Sequence, residues 1–153
     1  MKIIDAHLHT SFKRKDFIET SKEIGNKFTI EELKKQLAVN DIKYAISITS
    51  DRTNPTPLEY EFIISLAKKY KNIAGVLGIN PKKIDKNSIK KIEGGIKLGL
   101  IKGVKIYPGY YYTYPYDKVY HKFYKIAGKH RIPVIIHCGD TYKKGALVKY
   151  AHP

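Results

Sequence analysis

The chain is 153 residues long, and its composition is that of a folded protein with a hydrophobic core. Hydrophobic residues make up 42% of the sequence and charged residues 28%, which excludes a disordered chain. The length suits one domain, residues 1–153. It excludes a complete eight-stranded βα barrel in one copy, which needs roughly 200–250 residues.

The net charge is +15, and it comes almost entirely from lysine. Of the 29 basic side chains, 26 are lysines, and the three arginines are Arg14, Arg52 and Arg131. Such a charge is compatible with a nucleic-acid or anionic-membrane surface. Sites that read a base sequence, however, prefer the two-pronged guanidinium of arginine. We therefore expect a lysine-biased composition, with no specific nucleic acid and no membrane as partner.

The sequence lacks the features that mark secreted and membrane proteins. Cys138 is the single cysteine, so no intramolecular disulfide can form. The first residues, MKIIDAHLHT, interrupt their apolar run with Asp5 and His7, unlike a signal peptide. No apolar run approaches the roughly 18 residues of a membrane span. These features predict a cytoplasmic protein.

Predicted strands and helices alternate along the chain. Apolar runs predict five strands, at residues 2–7, 44–49, 73–79, 100–107 and 132–138. Helices are predicted after the capping box that begins at Thr29, at residues 58–70, from Asn87 or Ser88 to Leu98, and at residues 116–129. This alternation is typical of a parallel sheet covered by helices. We predict an α/β fold, a partial TIM barrel of about five parallel strands with the first and fifth strands at its edges.

A pair of histidines closes the first predicted strand. Because side chains alternate along a strand, Asp5, His7 and His9 are expected on one face. Two imidazoles at such a place form half of a Zn²⁺, Fe²⁺ or Mn²⁺ site. The alternative is a pair of polar loop histidines, and we favour the metal site.

Two further polar residues end predicted strands. His137 closes the fifth strand, where an imidazole is costly unless it is paired or ligated. Lys105 lies between Val104 and Ile106 near the end of the fourth strand. It could be a carbamylated lysine bridging two metals, a lysine that orients a carboxylate-bearing substrate, or the partner in a structural ion pair. The sequence leaves these three interpretations of Lys105 open.

Four motifs together resemble the amidohydrolase superfamily, in particular its branch of metal-dependent hydrolases and decarboxylases. They are DAHLH at residues 5–9, GINP at 78–81, GVKIYP at 103–108 and PVIIHCGD at 133–140. The resemblance implies that His7, His9 and His137 bind a divalent metal, with zinc the expected ion and iron or manganese as alternatives. It places Lys105 at the strand-four lysine position, which is carbamylated in binuclear members. It also implies a metal-activated water that attacks a carbonyl-type small-molecule substrate, or a related decarboxylation.

The sequence departs from the family pattern in its last part. The family uses a histidine after strand six and an aspartate, the expected general base, after strand eight, and these 153 residues contain neither strand. Asp140 is a weak catalytic candidate in place of that base, and Asp51 is another carboxylate near the predicted site. We therefore expect the N-terminal five-eighths of a barrel. One alternative is a catalytically incomplete fragment that self-associates or acts with a partner chain that supplies the missing C-terminal half.

A second enzyme class shares the first motif. PHP-type metal phosphoesterases also open with D-x-H-x-H followed by threonine or serine, as in residues 5–10. The GVKIYP and PVIIHCGD motifs argue against this alternative.

Residues 107–116 contain six tyrosines in ten positions. At the end of a barrel strand, such a segment could form an aromatic wall over an organic substrate. It could equally be a rigid surface loop that packs on its neighbours. Cys138 is expected to point away from His137 and to be a buried, small apolar residue.

Overall fold

Five parallel strands form a single sheet in the order β1-β2-β3-β4-β5. The computed structural model describes residues 2–49, 57–140 and 145–152. The strands are β1 Ile3–His9, β2 Ile42–Ile48, β3 Ile73–Ile79, β4 Ile101–Ile106 and β5 Val134–Ile136. The sheet curls, with flanking helices, into part of a TIM barrel, and the predicted fold class is confirmed. Its open edges are β1 and β5, as the sequence predicts.

Six α-helices lie between and beside these strands in the part of the chain that the structure describes. They are α1 Lys15–Glu23, α2 Ile30–Val39, α3 Pro57–Lys69, α4 Lys86–Lys97, the short α5 Pro108–Tyr111 and α6 His121–His130. Two single turns of 3₁₀-helix occur at Lys118–Tyr120 and Val148–Tyr150. None of the helices in the described ranges is long and apolar enough to cross a membrane.

The sequence did not predict α1 or α5. Helix α1 follows Arg14, whose side chain makes no capping hydrogen bond, and α1 buries none of its side chains. Neither of the two usual sequence marks of a helix, a cap and a buried stripe, is therefore present. Helix α5 is a single turn within the tyrosine-rich segment and begins at Pro108.

The helix caps show where sequence reasoning succeeded and where it missed by a few residues. The hydroxyl of Thr29 accepts a hydrogen bond from the Glu32 amide at 3.2 Å, so the predicted start of α2 is confirmed. Helix α4 is capped by Asp85, whose carboxylate accepts the Ser88 amide at 2.7 Å. The prediction of Asn87 or Ser88 as cap was wrong, because Asp85 lies one turn earlier and supplies a charged acceptor.

The hydrophobic core lies between the sheet and its helices. Its fully buried members come from the central strands and the helices that cover them: Ile63, Ile79, Ile101, Ile106 and Tyr120 are all 0% exposed. The sheet edges are different, since Ile4 on β1 is 58% exposed. The central strands β3 and β4 are therefore well buried, whereas β1 is partly exposed to solvent.

Candidate active site

The functional candidates meet at one end of the sheet. The strands are parallel, so their C-terminal ends share one rim, which we call the barrel mouth. At the mouth β1 ends with His9, and the register places His9 beside Ile48 of β2. On the central strands, Lys105 of β4 lies beside Gly78 of β3. Active sites of βα barrels form at this end.

His7 and His9 lie next to each other at the end of β1. Their ring centroids are 5.2 Å apart in an edge-to-face arrangement. Nδ1 of His9 lies 2.9 Å from the carbonyl oxygen of Ile48. Because a carbonyl only accepts hydrogen bonds, Nδ1 carries the proton and the ring's lone pair is on Nε2. A hydrogen bond of this kind fixes the tautomer and the orientation of a metal-binding histidine.

The surroundings of His7 favour its neutral form. Partial burial lowers the pKa of the His7 imidazole, the positive charge of Lys105 lowers it further, and Asp5 acts in the opposite direction. A neutral imidazole is the form that binds a metal ion. The lowered pKa of His7 therefore favours the form that can bind a metal ion.

Asp5 lies close to His7 at the end of β1. Its carboxylate accepts a hydrogen bond from the backbone amide of His7 at 3.0 Å. The pairing of β1 with β2 shifts by one residue between Asp5 and Leu8, and such a shift disturbs the alternation of side chains. Asp5 therefore supports the local backbone of His7, and a face shared by Asp5, His7 and His9 stays a prediction.

Lys105 is buried at the mouth, as its apolar neighbours in the sequence suggested. Its side chain is 3% exposed, and its ammonium nitrogen lies 5.4 Å from the centre of the Tyr107 ring. Burial lowers the pKa of Lys105. In the described part of the chain Lys105 makes no ion pair with a carboxylate, so the interpretation as a structural ion pair finds no partner there.

His137 follows β5 and lies among tyrosines. Its ring is 5.9 Å from that of Tyr107 and 5.2 Å from that of Tyr110. Its Nε2 lies 2.7 Å from the carbonyl oxygen of Asp140, so Nε2 carries the proton and donates it to that oxygen. The structure thus brings Asp140 to His137 through its backbone. The catalytic role suggested for the Asp140 carboxylate stays a prediction.

The three predicted metal ligands are not gathered in one place. Over residues 2–49, 57–140 and 145–152, no three histidine, cysteine, aspartate or glutamate side chains are close enough together to hold a metal ion. The structure brings His7 and His9 together, whereas His137 lies with the tyrosines. Metal binding by all three therefore stays a prediction, and the residues present fit a metal as a half-site. Asp51 lies outside the described residues.

The tyrosine-rich segment divides into an inner and an outer group. Tyr107, Tyr110 and Tyr111 are buried and form a small second core with Ala146. The outer group is more exposed, and Tyr114 stacks on Tyr116 with ring centroids 5.1 Å apart. The burial of the inner group supports the interpretation of this segment as a loop that packs on its neighbours. The outer group forms an aromatic surface that is more exposed.

Cys138 is exposed, so the expectation of a buried apolar residue was wrong. Strand β5 ends at Ile136, two residues before Cys138. The chain then turns at Gly139, where φ is +83°. Cys138 therefore lies in a turn beyond the sheet, and the alternation of strand side chains does not govern it.

Sequence reasoning missed one feature next to His9. A cleft of about 300 Å³ opens between β1, α2 and the segment before α2, and His9 is part of its lining. Phe12 and Phe28 line the same cleft, with ring centroids 5.0 Å apart. The two phenylalanines are sixteen positions apart in the sequence, so no local pattern marks them as neighbours.

One sequence family matches nearly the whole chain. The sequence model of TatD-related DNases matches residues 4–148. No curated protein matches the chain significantly.

Solved structures share the fold at low sequence identity. An uncharacterised TIM-barrel protein from Bordetella bronchiseptica has a TM-score of 0.66 and 18% identity, over 98% of this chain and 59% of that one. A structure named amidohydrolase II has a TM-score of 0.65 and 17% identity, over 94% of this chain and 52% of that one. The 5-carboxyvanillate decarboxylase of Novosphingobium aromaticivorans, solved with manganese, has a TM-score of 0.58 and 13% identity, over 92% of this chain and 50% of that one.

These similarities confirm the resemblance to amidohydrolase-type TIM barrels that the four motifs predicted. They also show its extent. The chain spans 50% to 59% of the length of these structures and corresponds to the N-terminal part of such a barrel.

Proposed function

The chain belongs to the family of TatD-related DNases, and from this premise we propose that it is the N-terminal part of a metal-dependent hydrolase acting on phosphodiester bonds. The observation that carries the proposal is the pair of adjacent histidines at the end of β1, with ring centroids 5.2 Å apart. The lowered pKa of His7 favours its neutral form, and the Ile48 carbonyl accepts the Nδ1 proton of His9 and orients its ring. Both features support metal binding.

His7 and His9 would hold the divalent ion, with His137 as the candidate third ligand. Zinc is the ion we expect, since imidazole nitrogens suit it well, and iron and manganese suit the same ligands. When bound, such an ion lowers the pKa of a water molecule and polarises the bond under attack. The backbone carbonyl of Ile48 keeps Nε2 of His9 available for this role.

The charge of the chain supports a polyanionic substrate. The net charge is +15, and a positive surface attracts nucleic acid through its phosphates regardless of sequence. With only three arginines, the chain has few of the side chains that read bases. We propose phosphodiester hydrolysis in DNA without sequence preference. This proposal departs from the sequence-based expectation, which attributed the charge to a lysine-biased composition, and it rests on the family match.

The remaining part of a barrel would complete the site. The general base that the resemblance implies lies after strand eight, and the chain spans 50% to 59% of the matched structures. We propose that a polypeptide corresponding to strands six to eight covers the open edges at β1 and β5. Self-association of this chain is the alternative way to cover those edges.

A nuclease assay tests this proposal. Metal-free protein would be mixed with end-labelled single-stranded DNA of random sequence and zinc, manganese or iron(II). We expect metal-dependent cleavage by the wild-type chain and its loss in the His7→Ala/His9→Ala variant. His121→Ala is the matched control, because His121 begins α6, where its Nε2 lies 3.1 Å from the Tyr116 carbonyl, and it is not one of the predicted metal ligands. Equal cleavage by the wild type and the double variant would contradict the role of the two histidines.

A second set of assays distinguishes hydrolysis of phosphodiesters from hydrolysis of carbonyl substrates. The sequence-based expectation was attack on a carbonyl-type substrate or loss of a carboxylate as CO₂. Aryl esters and aryl phosphates would be offered under the same conditions. Hydrolysis of the ester alone, with the same dependence on His7 and His9, would favour the carbonyl alternative. Hydrolysis of the aryl phosphate monoester alone would favour the PHP-type alternative.

A further inference from the structure

Lys105 is a buried lysine that makes no ion pair with a carboxylate among the described residues. Its side chain is 3% exposed, and in the described residues no carboxylate lies within ion-pair distance of its ammonium group. An unpaired charge is costly to remove from water. An apolar residue would avoid this cost, as Val104 and Ile106 do on either side. A lysine at this buried position therefore calls for an explanation.

The Tyr107 ring and the Cys138 thiol lie close to the ammonium group of Lys105. The face of the Tyr107 ring lies 5.4 Å away, and the Tyr107 hydroxyl donates a hydrogen bond to the Thr49 carbonyl at 3.0 Å, which fixes the ring. A cation on an aromatic face recovers only part of the hydration free energy that it loses on burial. The neighbours in the sheet are Gly78 and Ile135, which offer no acceptor side chain.

Lys105 and the histidine pair lie at the same end of the sheet. Lys105 is the fifth of the six residues of β4, and the histidine pair closes β1, so all three residues are at the C-terminal ends of parallel strands. A second metal ion beside an unmodified ammonium would face a like charge, whereas an anion would be attracted. The arrangement therefore favours an anionic ligand next to the histidine pair.

We infer that Lys105 is the anion-binding group of the barrel mouth and takes a phosphate oxygen of the substrate. An ammonium group is a compact charge with three donors and is well suited to phosphate. This inference rests on the proposed function for the identity of the anion. It goes beyond that function by assigning Lys105 to substrate binding, as an unmodified ammonium rather than as a carbamate or an internal ion-pair partner.

Phosphate binding by the metal-free chain tests the inference. Inorganic phosphate would be titrated calorimetrically in the presence of a chelator, so that the result does not depend on metal binding or on hydrolysis. A charge-assisted hydrogen bond of typical strength predicts that Lys105→Met weakens binding by about tenfold or more. Lys102→Met is the matched control, since Lys102 is on the same strand but exposed. We expect less than about a twofold change there, because exposed charges contribute little.

Two results would overturn the inference. Equal weakening by Lys105→Met and Lys102→Met would show that phosphate responds only to the net charge of the chain. A mass increase of one carbon dioxide on Lys105 in the intact wild-type protein would show a carbamate and remove the ammonium group. Lys105→Gln is the second variant, and it should bind phosphate as weakly as Lys105→Met. Circular dichroism of both variants checks that they fold.

Discussion

The centre and the edge of the sheet differ both in sequence and in surroundings. Strand β3, Ile73–Ile79, is buried at every position except the partly exposed Ala74. Strand β1, Ile3–His9, has no fully buried residue. Both strands pair in parallel with β2, but β3 has no charged or imidazole side chain, whereas β1 carries an aspartate and two histidines. A strand in a parallel sheet is buried only when both of its sides and both of its faces are covered. The open edge therefore leaves β1 in contact with solvent, and its polar side chains suit that position.

The candidate site combines residues from the centre of the sheet with residues from its edges. Lys105 lies on the central strand β4 and is buried, whereas His7 and His137 come from the two edge strands and retain contact with solvent. The fixed part of the site is thus the lysine, together with Tyr107 and the Thr49 carbonyl. The histidines proposed to bind a metal lie where the sheet is open, and the chain covers only 52% to 59% of two of the matched structures.

The largest expected effect contrasts a central with an edge isoleucine. Ile79 is 0% and Ile4 58% exposed. Deleting a buried isoleucine side chain to the β-carbon costs about 2–5 kcal/mol of unfolding free energy. We expect Ile79→Ala to fall in this range and Ile4→Ala to cost about 0.5 kcal/mol or less, as exposed substitutions usually do. Urea denaturation of both variants measures this, and equal losses would refute the contrast between centre and edge.

A smaller effect is expected at Tyr120, whose hydroxyl is buried beside Thr113 at 2.8 Å. Burial raises the pKa of Tyr120 to about 12, above the unfolded value of about 10. A folded-state pKa above the unfolded one gives stability that is present below pH about 10 and is lost as the pH rises toward 12. Tyr120→Phe should cost about 1 kcal/mol at neutral pH through the lost hydrogen bond.

The pH dependence supplies the control for that variant. The stability difference between the wild type and Tyr120→Phe should shrink between pH 10 and pH 12, as measured by urea denaturation at each pH. Tyr116→Phe, at a side chain that is 72% exposed, should show no such change. A difference that stays constant across this range would mean that the buried hydroxyl does not titrate as described.

The smallest effect is expected near the edge, at the cap of α2. Thr29 accepts the Glu32 amide at 3.2 Å, and removing such a cap costs about 1 kcal/mol or somewhat less at an exposed site. Thr29→Ala should therefore lower the melting temperature slightly. Thr20→Ala is the control inside α1, where alanine is the better helix former and the melting temperature should not fall. A larger loss in Thr20→Ala would contradict the capping role.

The sequence predicted the central strands best. Strand β3 covers Ile73–Ile79 as predicted, because Asn80-Pro81 ends the apolar run and the whole run is buried. Strand β5 is shorter than predicted, Val134–Ile136, since the chain turns at Gly139 with a positive φ. Helix α6 begins at His121 instead of residue 116, because the Asp117 carboxylate accepts the Tyr114 amide and stabilises a turn there.

The site was predictable where it depends on neighbouring residues. His7 and His9 lie together because they are two residues apart on one strand, and their contact needs no tertiary information. The shifted pairing of β1 depends on β2, and the tyrosines around His137 come from the residue after β4 and from α5. The same holds for the cleft at Phe12 and Phe28. Contacts between distant segments leave no periodic pattern in the sequence, so these features required the structure.

Metal content tests the central claim most directly, namely that the end of β1 is a metal half-site. The chain would be purified without chelator or histidine tag, and its metals would be counted by mass spectrometry in the wild type, His7→Ala/His9→Ala and His121→Ala. We predict about one zinc, iron or manganese ion per wild-type chain, as for a single histidine-ligated site. The ion should be retained in His121→Ala and absent from the double variant. A wild-type chain without metal, or a double variant with undiminished metal, would contradict the account.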